Sequence, residues 1–133
     1  MKRASVRVIV ADDQAPFRQA ARTVVAATPG FTLVGEATSG EDAVRLVGSL
    51  APDLVLLDVV MPGIGGIEAA RRIAAAHPRT TTILLSSYPL AALPDEAQSC
   101  GAATYIHKED FAPEALLAFL RKTKPRSGRE GPP

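Results

Sequence analysis

Short apolar runs alternate with helix-like segments along the chain, and this alternation restricts its fold more than any other feature. Three of the runs are continuously hydrophobic, as in strands that are buried on both faces of a parallel sheet. The second and fifth runs are more mixed, as expected of edge strands. The runs are VRVIVA (6–11), FTLVGE (31–36), DLVLLD (53–58), TTILLS (81–86) and ATYIH (103–107). Five strands in one parallel sheet are therefore predicted.

The segments between the first four runs have the signals of helix boundaries. Pro16 suits the first turn of one helix, and Pro29 with the following glycine suits its end. Ser39 can cap a second helix, with Asp42 three residues later in a weak capping-box arrangement. Apolar residues at helical spacing predict a third helix over about 66–77. Each of these helices would cross over between two strands.

The later helices carry signals of different strength. Pro89 and Pro94 crowd the segment after the fourth run, so only a short helix near 94–100 is predicted there. A fifth helix is predicted to start at Pro113. Strands that strictly alternate with helices imply right-handed crossovers. The chain is therefore predicted to form an α/β domain, a doubly wound (βα)5 unit.

Composition fits one compact domain and excludes several classes of protein. The chain has 133 residues, 47% of them hydrophobic, and a net charge of +1, so no global field points to nucleic acid or a membrane surface. Cys100 is alone, so there is no disulfide framework, and no apolar run approaches the roughly 20 residues of a membrane span. A cytoplasmic setting is expected. Residues 125–133 are predicted to be a disordered basic tail or the stub of a linker.

Carboxylates follow two of the apolar runs. Asp12 and Asp13 come directly after the first run, and Asp58 ends the third. In doubly wound sheets the working site lies beyond the carboxyl ends of the strands, so we expect these acids at that rim rather than buried in the core. Like charges about 4 Å apart repel by roughly 4 kcal/mol at an effective dielectric constant of ~20. Hard oxygen ligands without histidine or cysteine suit Mg²⁺.

Two further groups are predicted at the same rim. Lys108 follows the fifth run, and a divalent ion with this lysine would neutralise three carboxylates. Ser86 ends the fourth run and offers a hydroxyl. Acids, metal, hydroxyl and lysine together form a site for a phosphoryl group, which a carboxylate can attack in line. Asp58 stands alone on its strand and is the predicted nucleophile, with Asp13 as the main metal ligand.

At these residues the chain resembles the receiver domain of bacterial two-component response regulators. The motifs VIVADDQ, LVLLDVVMPGIGGIEAARRI, LLSS and GAATYIHK match in order and spacing, over residues 6 to about 122. The resemblance implies a receiver domain over residues 1–124. It also implies a flavodoxin-like or CheY-like sheet with strand order 2-1-3-4-5. GEATSGEDAV and KED look most like receivers that precede LuxR/NarL-type helix-turn-helix domains.

The resemblance also implies a role for each residue of the site. The phosphoryl group would be accepted from a sensor histidine kinase, with Mg²⁺ as cofactor. The family pattern assigns Asp58 as phosphoacceptor, Asp12, Asp13, Asp58 and the Val60 backbone carbonyl as Mg²⁺ ligands, and Ser86, Lys108 and Tyr105 as phosphate-binding and switch residues. Val60 and Tyr88 occupy the positions that tune hydrolysis of the acyl phosphate.

A phosphorylation-dependent signalling switch is therefore the first hypothesis, in which the domain is a regulatory phosphoacceptor rather than an enzyme. Phosphorylation would alter the surface that meets an output domain, another protein or a second copy of the chain. No direct binding of nucleic acid or membrane is expected. A haloacid-dehalogenase-type phosphatase is disfavoured, because Val60 stands where that chemistry needs a second aspartate. A phosphate-independent interaction module with a receiver fold is the alternative hypothesis.

Overall fold

The structure, a computed structural model, describes residues 5–123 and shows a five-stranded sheet with helices on both faces. The predicted tail over 125–133 lies outside the described residues. Within the described range no helix is both long and apolar enough to cross a membrane. The strands are β1 (Val6–Ala11), β2 (Phe31–Ala37), β3 (Leu54–Asp58), β4 (Thr81–Ser86) and β5 (Thr104–His107), and the α-helices are α1 (Ala15–Ala26), α2 (Gly40–Leu50), α3 (Gly65–Ala76) and α4 (Pro113–Thr123).

The sheet is parallel throughout, with the order β2-β1-β3-β4-β5. This confirms the predicted 2-1-3-4-5 order, with β2 and β5 at the edges. In the β1–β3 pair Ala11 lies opposite Leu57, so Asp12 and Asp58 follow at the same edge. In the β3–β4 pair Asp58 lies opposite Leu85, which brings Ser86 beside it. The register therefore delivers the acids and the hydroxyl to the carboxyl edge of the central strands.

The core has one layer on each face of the sheet, because successive side chains of a strand point to opposite faces. One layer contains Ile9 and Leu57 from the strands, with α2 and α3 packed over them. The other contains Val8 and Leu56, covered by α1 and α4. The predicted cap of α2 is confirmed, since the Ser39 hydroxyl accepts a hydrogen bond from Asp42 N at 3.1 Å.

The short helix predicted near 94–100 is present as the 3₁₀ helix Asp95–Gln98. A second 3₁₀ helix, Leu90–Ala92, precedes it. Each begins directly after a proline with an extended backbone. The first backbone hydrogen bond of each joins residues three apart, as in a 3₁₀ helix: Ala92 N donates to Pro89 O, and Ala97 N donates to Pro94 O. Because two prolines five residues apart each restrict the residue before them, an α-helical run cannot extend through this segment.

Candidate functional site

Three carboxylates converge at the carboxyl edge of β1 and β3. One oxygen from each of Asp12, Asp13 and Asp58 lies within 4.8 Å of the other two. Asp13 is exposed, but Asp12 is 0% and Asp58 only 5% exposed. The expectation that these acids lie at the rim is confirmed, and the expectation that they escape burial is wrong for two of them. The pattern of the strands alone could not reveal this burial.

Lys108 reaches into this group of carboxylates from the end of β5. Its Nζ atom is 2.6 Å from Asp12 Oδ2 and 3.5 Å from Asp58 Oδ1. The lysine side chain is only 14% exposed, so its ammonium group is largely withdrawn from water. A buried carboxylate needs a counter-charge, and this ammonium supplies one to both buried acids.

The pKa of Asp58 shows that the ionised form of its carboxyl group is unfavourable in this site. The pKa of Asp58 is raised from 3.8 to about 6, mainly by burial and secondly by the neighbouring charge of Asp12. Lys108 and a hydrogen bond from the backbone of Val60 act in the opposite direction, yet the net change is upward. Burial and a like charge disfavour the ionised form of a carboxylate, so this site gains from any added cation.

The backbone around Asp12 is fixed from several sides. Asp12 Oδ1 accepts from Gln14 N at 2.8 Å, and Asp12 N donates to the Ala37 carbonyl at 3.0 Å. The guanidinium of Arg18 donates to the Asp12 carbonyl at 2.9 Å, and its Nε is 3.3 Å from Glu36. Arg18 and Glu36 were missed by the sequence reasoning. An arginine one turn into the helix after an acidic pair is a weak signal that could have indicated Arg18.

Ser86 and Tyr105 meet at the backbone of a single residue. Ser86 Oγ accepts from Tyr88 N at 2.9 Å, and the Tyr105 hydroxyl donates to the Tyr88 carbonyl. Ser86 is buried, and burial raises the pKa of the Tyr105 phenol, against an opposing effect from its hydrogen bond with Ser86. The Ser86 hydroxyl is therefore joined to the tyrosine of β5 through the backbone of Tyr88.

The loop between β3 and α3 is held against the acids by close packing and one distant carboxylate. A Cβ atom on Gly66 would lie 2.0 Å from the Asp58 carbonyl oxygen, so this turn has no room for a side chain. The α3 helix has no cap from its own Ile64, but Glu41 on α2 accepts a hydrogen bond from Ile64 N at 3.2 Å. Glu41 therefore caps α3 from outside, where a negative charge is favourable.

The acidic group fits a small divalent cation. Asp12 Oδ2 is buried, and the Lys108 ammonium lies 2.6 Å from it. The donors are carboxylate oxygens. One of them belongs to the exposed Asp13, so an ion with its bound water has access to the site from solvent. Such a set suits Mg²⁺. The Val60 carbonyl stays a prediction as a fourth ligand, since only the Val60 N–H is seen to bond Asp58.

The predicted residues thus divide into two groups. Asp12, Asp13, Asp58 and Lys108 come together directly. Ser86 and Tyr105 join each other through Tyr88, at the end of the strand beside Asp58.

Comparison with known proteins agrees with this geometry. Residues 8–121 match the family model described as "Response regulator receiver domain". The response regulator UvrY of Escherichia coli is 37% identical over 116 residues, which cover 87% of this chain and 53% of that protein. The response regulator GacA of Pseudomonas viridiflava is 37% identical over 114 residues, covering 86% and 53%. The chain thus spans about half the length of these curated relatives.

Solved structures give the same result. The signal receiver domain of the putative response regulator NarL from Mycobacterium tuberculosis has a TM-score of 0.84 and 31% sequence identity. The match covers 93% of this chain and 100% of that one. Fold, family model and relatives agree, and the chain belongs to the response regulator receiver domain family.

Proposed function

We propose that this domain is a phosphorylation-dependent signalling switch that accepts a phosphoryl group on Asp58 from a sensor histidine kinase, with Mg²⁺ as cofactor. The observation that carries the proposal is the grouping of three carboxylate oxygens within 4.8 Å, with the Lys108 ammonium 3.5 Å from Asp58. A phosphoryl group bonded to Asp58 would have Mg²⁺ and the Lys108 ammonium next to its other oxygens. Membership of the receiver family supports the same assignment.

In the proposed reaction a carboxylate oxygen of Asp58 attacks the phosphorus of a phosphohistidine. An oxygen–phosphorus bond forms as the nitrogen–phosphorus bond breaks, and the electron pair leaves with the imidazole, which takes up a proton. Asp12, Asp13 and the Val60 carbonyl would hold Mg²⁺, which supplies charge neutralisation to the phosphoryl oxygens. Lys108 leaves its contact with the Asp58 carboxylate and contacts the phosphoryl oxygens instead. Ser86 donates a hydrogen bond to the same oxygens.

The proposed switch follows from the change of charge at Asp58. The aspartyl phosphate carries roughly −2 where the carboxylate carried −1. Drawing the Ser86 hydroxyl to the phosphate weakens its bond to Tyr88 N, and the Tyr88 carbonyl also holds Tyr105. The two 3₁₀ helices after Tyr88 and the exposed side of β5 would then move together. That surface is where an output domain, another protein or a second copy of the chain would bind.

Slow loss of the phosphate is also proposed. Val60 and Tyr88 each lie two residues beyond a predicted site residue, Asp58 and Ser86, and their exposures are 59% and 57%. Neither is an effective general base at neutral pH, so neither activates a water molecule for attack. We expect the purified phosphoprotein to lose its label with a half-life of about an hour rather than a minute. A half-life of seconds would contradict this reasoning.

Phosphotransfer to wild type, Asp58→Ala and Asp95→Ala tests the proposal. Asp95 is an exposed carboxylate on a 3₁₀ helix and controls for nonspecific labelling. With Mg²⁺ and a labelled kinase or small-molecule phosphodonor, we expect stable label on wild type and Asp95→Ala and none on Asp58→Ala. Repeated turnover with release of phosphate would instead indicate a phosphatase. No label from any donor would indicate a phosphate-independent module.

A further inference from the structure

Phe17 contacts the site, although it is apolar and lies outside the motifs that identify the site. The Lys108 ammonium lies over the Phe17 ring, 4.4 Å from the ring centroid. Phe17 stands in the first turn of α1, directly after the loop that carries Asp12 and Asp13. The ring is partly buried and packs on the core layer beneath α1 and α4. The ammonium therefore lies close to the aromatic face and to both buried carboxylates.

This contact falls in the range of a cation–π interaction. An ammonium within about 6 Å of a ring centroid is attracted by the negative face of the ring, and the attraction grows when the cation is removed from water. The Lys108 side chain is mostly buried, so its ammonium meets that condition. Lysine otherwise keeps considerable rotamer freedom on its four-carbon stem. The ring limits this freedom by its contact with the ammonium.

Phe111 supports the Phe17 ring from the other loop of the site. The two ring centroids are 5.9 Å apart and the rings are tilted by 42°, a favourable geometry for an aromatic pair. Phe111 is buried, and its N–H donates to the Lys108 carbonyl at 3.2 Å, so it lies one short turn beyond the lysine. The ring pair therefore joins the segment after the acidic pair to the segment after Lys108.

We propose that Phe17 is a positioning residue for phosphoryl capture. Its ring holds the Lys108 ammonium beside Asp58 before the phosphoryl group arrives, so that less lysine freedom is lost on binding. The inference rests on the proposed function. It concerns a residue outside the acid, hydroxyl and lysine set.

The test measures the affinity for beryllofluoride, a mimic of the aspartyl phosphate, at saturating Mg²⁺ by amide NMR titration. Phe17→Leu keeps an apolar side chain but removes the ring, and we expect about three- to tenfold weaker binding. Phe17→Tyr keeps the ring and should bind within about twofold of wild type. Phe31→Leu is the matched control, because Phe31 lies in the same core layer but is not a partner of Lys108.

A double-mutant cycle with Lys108→Gln separates positioning from packing. In the Lys108→Gln background, Phe17→Leu should cause no further loss of beryllofluoride affinity. Without metal, the urea unfolding of the four proteins should show that the effects of the two substitutions on the unfolding equilibrium constant are coupled by about twofold or more. Phe31→Leu should show no such coupling to Lys108→Gln.

Four results would overturn the inference. They are wild-type affinity in Phe17→Leu, equal weakening in Phe17→Leu and Phe17→Tyr, an undiminished effect of Phe17→Leu without Lys108, and equal weakening in Phe31→Leu. If wild type itself failed to bind beryllofluoride with Mg²⁺, the proposed function would fail and this inference with it. The two failures are therefore distinguishable.

Discussion

Replacing Asp58 by asparagine should stabilise the metal-free protein at neutral pH. Asparagine keeps the shape and an oxygen that can accept from Val60 N, but it removes one of two carboxylates buried side by side. The folded protein raises the pKa of Asp58 from 3.8 to about 6. Since one pKa unit corresponds to about 1.4 kcal/mol, the ionised side chain opposes folding by at most about 3 kcal/mol. Solvent screens part of this unfavourable energy, so we expect Asp58→Asn to raise the free energy of unfolding by about 1–2 kcal/mol.

The sign and the pH range of this effect follow from proton linkage. Below about pH 4 the Asp58 side chain is protonated in both states, and its ionisation costs no stability. Between about pH 4 and 6 the native wild type binds more protons here than the unfolded chain, so its free energy of unfolding falls as the pH rises. Above about pH 6 the loss is complete. The advantage of Asp58→Asn should therefore appear as the pH rises through this range.

Urea unfolding of wild type and Asp58→Asn at several pH values measures the difference. With a slope of about 2 kcal/mol per molar urea, the expected shift of the midpoint is about 0.5–1 M near pH 7.5 and close to zero near pH 4. Asp95→Asn, at an exposed carboxylate, should show little change. Mg²⁺ should reduce the advantage, because the cation stabilises only the carboxylate. A variant that is less stable than wild type at pH 7.5, or a gain that does not depend on pH, would refute the reasoning.

Three further substitutions test the packing around the site. Gly66→Ala should cost more than about 2 kcal/mol, because its Cβ would lie 2.0 Å from the Asp58 carbonyl oxygen; a loss below about 1 kcal/mol by urea unfolding would contradict the geometry. Gly48→Ala, inside α2 with its nearest neighbour at 3.7 Å, should raise stability by about 0.5–1 kcal/mol in the same assay, and a loss would be the contrary result. Tyr105→Phe removes the bond to the Tyr88 carbonyl and should lower the free energy of unfolding by about 1 kcal/mol while leaving label transfer intact, whereas loss of transfer would place the phenol in the chemistry.

Much of the fold follows from local patterns in the chain. The continuous apolar runs at Val6–Ala11, Leu54–Asp58 and Thr81–Ser86 are strands because they are buried on both faces, and Ser39 caps its helix as its position predicts. The strand order came from the resemblance to receivers and is confirmed. The segment after β4 was expected to contain only a short helix near 94–100, and the 3₁₀ helix Asp95–Gln98 lies there. The sequence did not predict that it would be of the 3₁₀ type or that a second one would precede it.

The sequence predicted which residues gather at this edge of the sheet, but it did not predict how deeply they are buried or which other side chains contact them. Position at strand ends brought Asp12 and Asp58 to one edge, but the depth of their burial depends on tertiary contacts that strand position does not specify. The contact between Phe17 and Lys108 joins residues that are far apart in sequence, and helical periodicity marks Phe17 only as a core residue. Glu41 was missed for the same reason, because its partner Ile64 lies on another element.

The most direct test of the account is the amide NMR spectrum of the protein before and after addition of Mg²⁺ and beryllofluoride. The account predicts large shifts in the segments after β1, β3, β4 and β5, around Asp12, Asp58, Ser86 and Lys108, and in Asp58→Ala only the smaller shifts that Mg²⁺ alone causes. An unchanged wild-type spectrum, or equal shifts in Asp58→Ala, would contradict the claim that these residues form one pocket for a magnesium-bound phosphoryl group.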